Sequence, residues 1–115
     1  MSIDYGDVFD VLVEAMPECP PDPGDLEDRL SYLYINQLAR YVCNRADLDY
    51  EPLLKRFGAL IERLFVGGDE TVQGLAYEAL QTVWEHHEEN GLVARYFGSK
   101  TIENWLQLCG GAHPQ

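Results

Sequence analysis

If this chain performs chemistry, it has few places to do so. Glu85-His86-His87-Glu88-Glu89 is the one cluster whose side chains suggest a metal ion. Neighbouring residues of a helix point about 100° apart, so His86 and His87 cannot face one ion from regular helix geometry. His86 and Glu89, three residues apart, share a face and would give two ligands, but the sequence offers no third. The helical wheel sets His87 near the apolar stripe and His86 at its border, which predicts structural or rim positions for both. There is no His-Glu-x-x-His pattern, and His113 falls in the last residues.

The thiols and hydroxyls are no better placed. Cys19, Cys43 and Cys109 lie far apart, with neither disulfide pairing nor metal-ligand spacing. Glu18 and Pro20 flank Cys19, a setting that disfavours a thiolate, and Cys43 has no evident activating base. Ser2, Ser31 and Ser99 belong to no nucleophile elbow. Gly67-Gly68 lacks the Gly-Lys-Ser/Thr and the preceding strand of a phosphate-binding loop. Carboxylates are so abundant that paired acids are no sign of acid–base catalysis. The expectation is a protein with no catalytic residues, no metal and no cofactor.

Charge and aromatic residues point to binding instead. Eight Lys/Arg against twenty Asp/Glu leave a net charge of −12 on 115 residues. Residues 1–28 contain nine acids and no Lys or Arg. Such a field repels phosphate backbones and attracts a basic protein. Seven tyrosines and two tryptophans cannot all hide their polar tips in a dry core, and such residues favour interfaces. Tyr32 and Tyr77 fall off the inward stripes of their helices. With nearby acids they give the candidate partner-binding set Asp22, Asp25, Asp28, Tyr32, Tyr77, Glu85, His86 and Glu89.

The elements that must carry these residues are helical. Val72, Leu75, Ala76, Ala79, Leu80, Val83, Trp84 and His87 recur three and four apart, predicting a central helix between Gly67-Gly68 and a stop at Gly91. Before it, Ile3 to Met16 predicts a first helix. Pro17 to Asp25 is a stiff, acidic, proline-rich loop, either a connector or a preordered contact edge. A second helix follows from Leu26 to Cys43 or Asn44, capped by Asp25, with Leu30, Leu33, Tyr34, Leu38, Tyr41 and Val42 inward. Pro52 opens a third, where Gly58 either weakens the helix or permits close packing. After Leu92 to Phe97, a short turn, Ser99 caps a last helix with Ile102, Trp105, Leu106 and Leu108 inward, and 112–115 form a frayed tail. The reading is one all-α domain over residues 1–115, a bundle or short stack of about five helices. No run approaches the roughly eighteen apolar residues of a membrane span, and Met1 to Asp10 carries no basic leader, so a cytoplasmic protein is expected.

One stretch resembles a known group. Gly67-Gly68-Asp69-Glu70-Thr71-Val72, the long helix to Glu85, Tyr96-Phe97-Gly98-Ser99-Lys100-Thr101 and Trp105 are similar to the C-terminal half of small bacterial immunity-type proteins found with polymorphic or contact-delivered toxins. The resemblance spans Phe65 to Trp105 and implies a short, acidic, helical protein that neutralises a cognate toxin by direct binding. It supplies no catalytic residues. The expected function is therefore non-enzymatic: an immunity or antitoxin-type inhibitor that occludes the functional surface of a basic toxin. The alternative is a helical adaptor or homo-oligomeric scaffold, such as a homodimer, whose Leu, Tyr and Trp positions form an apolar interface.

Overall fold

Asp4 ends an extended N-terminus by accepting the Asp7 N–H at 3.2 Å, which starts α1 (Tyr5–Ala15). In the computed structural model, which describes residues 2–24, 30–46, 51–86 and 88–112 with side chains to 109, five more helices follow. They are α2 (Ser31–Arg45), α3 (Glu51–Gly67), α4 (Glu70–Glu85), α5 (Asn90–Ala94) and α6 (Ser99–Ala112). All the regular elements among the described residues are helices, arranged as a bundle around one apolar cluster.

α4 is the hub. It packs most extensively on α2 and also touches α1, α3, α5 and α6. Its Val72, Leu75, Ala76, Ala79, Leu80 and Val83 are all buried, as the three-and-four spacing requires. Residues 68 and 69 alone separate α3 from α4, and the N-terminus is pinned at that corner. Ile3 N–H donates to the Gly67 carbonyl at 2.6 Å, and Asp69 N–H donates to the Ile3 carbonyl at 3.0 Å. The Asp69 carboxylate then accepts from Val72 N–H at 2.9 Å and from Tyr5 N–H at 3.2 Å. One side chain therefore satisfies orphan donors at the starts of both α4 and α1. From this corner α1 runs back along α3, until the Ala15 carbonyl meets the Arg56 guanidinium at 3.4 Å.

The end of α4 differs from the glycine stop expected at Gly91. The helix closes at Glu85, with the His86 N–H on the Val83 carbonyl at 3.0 Å. Side chains satisfy its last carbonyls: Asn90 Nδ2 donates to Trp84 O at 3.2 Å, and the His86 ring bonds Thr82 O at 3.0 Å. Gly91 instead sits inside α5. His87, read as near-stripe, lies outside the described residues.

Other expectations change as well. Leu30 and Leu33 are exposed, not inward, because Tyr34, Ile35, Leu38 and Val42 set the buried stripe of α2. The Tyr34 hydroxyl fixes that rotation by donating to the Cys19 carbonyl at 2.7 Å. The described part of this helix starts at Ser31 with Leu30 at the cap position and no side-chain cap; the Asp25 cap and the start at Leu26 fall outside the described residues. In α6, Ile102 and Leu106 face outward, and Thr101, Trp105 and Leu108 turn inward. Ser99 is the first residue of α6 and not its side-chain cap. Glu62 of α3 takes that role, accepting from Thr101 N–H and Oγ1 at 2.8 Å each and from Lys100 N–H at 3.2 Å. Ala112 closes α6 and so is not part of a tail, while 113–115 lie outside the described residues.

Close packing explains Gly58. A Cβ there would run into the Tyr96 carbonyl, so glycine lets the chain after α5 lie directly on α3. That approach leads the chain to Glu62, which positions α6. Phe97, Trp84 and Trp105 then lock the last helix, with ring centroids 5.4 Å apart for Phe97–Trp105 and 6.0 Å for Trp84–Trp105, both edge-on.

Candidate functional site

The α2–α4 seam gathers part of the candidate set. Asn36 Nδ2 donates to the Tyr32 carbonyl at 3.1 Å, and the Thr82 hydroxyl donates to Asn36 Oδ1 at 2.6 Å. The Thr82 carbonyl in turn meets His86 Nδ1 at 3.0 Å. A carbonyl only accepts, so Nδ1 carries the proton and Nε2 is the acceptor of the neutral ring. Tyr32, Asn36, Thr82 and His86 thus form one continuous hydrogen-bonded line across two helices.

The side chains beside that line suit contact with another protein. Tyr32 is 51% exposed and Leu33 is 41% exposed, next to each other on the first turn of α2. Glu85 is exposed, one turn beyond Thr82, and Glu89 is half-buried where its charge reaches Cys43 of α2. An aromatic with a polar tip, an aliphatic neighbour and a rim of acid make up the usual anatomy of an anchor and its edge. The backbone beneath is already fixed, so binding would cost little ordering entropy.

Other members of the set stand apart. Tyr77 is half-buried against the core on the α4 face that carries Trp84, roughly opposite Thr82, and does not join Tyr32. Asp22 is exposed on the proline-rich segment, while Asp25 and Asp28 lie outside the described residues. Asn36 and Thr82 complete the seam without having been singled out, and Leu33 was expected to face inward. A Thr four residues before a His near the end of a helical pattern was the available signal for one of them.

The proline-rich segment is a strap and not a free loop. Met16 and Cys19 are buried, Gln37 Nε2 donates to the Pro20 carbonyl at 3.2 Å, and Arg56 grips Glu18 with both terminal guanidinium nitrogens, Nη1 and Nη2. That grip holds the Glu18 carboxyl below its ordinary range. Pro23 and Gly24 are helical in conformation, against the expectation of a helix-free segment; proline is compatible with a first helical turn.

The thiols are poorly disposed to nucleophilic work. Burial, reinforced by the negative charge of Glu89, pushes the Cys43 thiol up to about 12. Burial likewise raises Cys19 and Cys109. Among the described residues no three His, Cys, Asp or Glu side chains stand together as a metal site, and no helix is long and apolar enough to cross a membrane.

Comparison with known proteins adds a family. A family model described as Domain of unknown function (DUF7674) matches residues 9–110, most of the chain and every helix from α2 to α5 in full. No curated protein and no solved structure matches.

Proposed function

We propose, for a chain that belongs to the DUF7674 family, that it is a non-enzymatic binding protein, an immunity or antitoxin-type inhibitor that covers the functional surface of a basic toxin. The observation that carries this reading is Tyr32, half-exposed on a hydrogen-bonded seam in a chain of net charge −12. The resemblance of Phe65 to Trp105 to immunity-type proteins supports it. The proposed setting is the bacterial cytoplasm, with no membrane or nucleic-acid partner.

The mechanism is occlusion. The acidic field steers a basic partner and raises the association rate, as Asp/Glu at an interface rim generally do. Tyr32 and Leu33 then bury against the partner and supply most of the affinity, with Glu85 and His86 as polar edge. Nothing in the inhibitor needs to react, since a covered substrate-binding surface is sufficient for inhibition. The test is affinity capture with mass spectrometry, using the wild-type chain beside Tyr32→Ala. A basic protein held by the first and lost from the second supports the reading. Equal retention of every captured protein would refute it.

A further inference from the structure

We propose that the cleft between the end of α1 and the outer face of α3 binds a free amino acid with a bulky apolar side chain. Glu14, Ala15, Arg56, Ala59, Leu60 and Arg63 line a cleft of about 340 Å³, within the range of small-ligand sites. Arg56 is already committed there, to the Ala15 carbonyl at 3.4 Å and to the Glu18 carboxylate. Arg63 and Glu14 are not. Among the described residues neither side chain forms a hydrogen bond or an ion pair, although both line the same cleft. Two opposite charges therefore border one gap without closing on each other. Ala59 stands one turn from each arginine on α3, and its methyl leaves open the space that a longer side chain would fill.

The charges select a zwitterion. Glu14 belongs to the last turn of α1, which carries no Lys or Arg. That turn is the negative pole of the helix, where a carboxylate is unfavourable and a cation is stabilised. An α-ammonium group beside Glu14 supplies the missing positive charge, and an α-carboxylate matches the planar fork of Arg63. The ligand's side chain then covers Ala15, Ala59 and Leu60. The cleft is larger than the ammonium and carboxylate alone require, which favours a residue of leucine or phenylalanine size over glycine. A molecule without net charge is not repelled by a chain of net charge −12, as an inorganic anion would be. A simple amine leaves Arg63 unanswered.

The cleft shares no residue with the α2–α4 seam, and the inference does not depend on the inhibitor reading. Methyl and amide NMR spectra of the full chain, titrated with L-phenylalanine, test it. Saturable shifts should centre on Ala15, Ala59 and Leu60, with a dissociation constant of about 1 mM, as befits a small ligand in an open cleft. Phenylacetate lacks the ammonium and 2-phenylethylamine lacks the carboxylate. Each should bind at least about tenfold more weakly, because each forfeits a charge-assisted contact. Arg63→Gln and Glu14→Gln should weaken phenylalanine binding to the same degree. Both residues are exposed, so both variants should keep the helical circular dichroism spectrum. Absence of saturable shifts at these residues, equal binding of phenylacetate, or unchanged affinity in either variant would overturn the inference.

Discussion

Glu62 holds Thr101 twice, accepting its backbone N–H and its hydroxyl at 2.8 Å each. A carboxylate in the middle of one helix thereby starts another, thirty-nine residues later in the chain. Thr101 is fully buried, so losing this acceptor leaves polar groups without a partner. Glu62→Ala should cost about 1–3 kcal/mol in urea denaturation, and Glu62→Gln, which keeps one acceptor oxygen, less. Trp105 lies one turn farther on, so its fluorescence should report loosening of α6. An unchanged midpoint would show that α6 is held by packing alone.

The same pair gives a pH dependence. Burial by itself would raise the Glu62 carboxyl, but bonds from Thr101 and Lys100 outweigh it and hold the group below its ordinary value. A lowered folded-state pKa contributes stability above the unfolded value of about 4.3 and loses it as pH falls through the folded value. The stability gap between wild type and Glu62→Gln should therefore be full at neutral pH and narrow below about pH 4. A gap that widened in acid would contradict this.

Gly58→Ala tests the close approach of α3 to the chain after α5. Alanine would improve helix propensity by about 1 kcal/mol on an open surface. Here its methyl meets the Tyr96 carbonyl, which is backbone and cannot swing aside. A net loss of about 1–3 kcal/mol is expected by thermal or urea unfolding. A gain would mean that the helices stand farther apart.

Tyr34 ties the proline-rich strap to α2 and should titrate late. Burial, with the nearby Cys19 and Glu18, pushes its hydroxyl up to about 12 from the usual 10.0. Its contribution is fully present below the unfolded value and is lost as pH rises through the folded one. Tyr34→Phe should cost about 1–2 kcal/mol, because the Cys19 carbonyl loses its donor. Ultraviolet difference titration of wild type against Tyr34→Phe should show the Tyr34 phenol ionising well above the usual 10.0. Ionisation at the usual value would place Tyr34 in solvent.

Much of this fold was legible in the sequence because periodicity reports burial. The stripe from Val72 to Val83 and the row from Leu53 to Phe65 are buried as their spacing requires. The failures fall where a long-range bond rotates or ends a helix. Nothing local shows that Glu62 will draw Thr101 inward and send Ile102 and Leu106 out. Nor does it show that Asn90 and His86 will end α4 before any glycine does. The candidate site was legible by residue type, and Tyr32 is exposed as its place on the wheel implied. Its assembly was not, because Asn36 and Thr82 are ordinary helix residues until they meet across the bundle.

The proposed binding role puts its weight on one side chain. Tyr32→Ala should leave the unfolding midpoint nearly unchanged, since an exposed side chain holds little of the fold. Truncating an interface anchor costs about 2 kcal/mol or more, so affinity for the captured partner should fall at least about thirtyfold by calorimetry, and Tyr32→Phe should recover most of it. Glu85→Lys should mainly slow association and flatten its salt dependence. The most direct measurement is the affinity of the captured basic protein for wild type and Tyr32→Ala at the same ionic strength. A loss of that size in a stably folded variant is what the account predicts, and equal affinity for the two chains would contradict it.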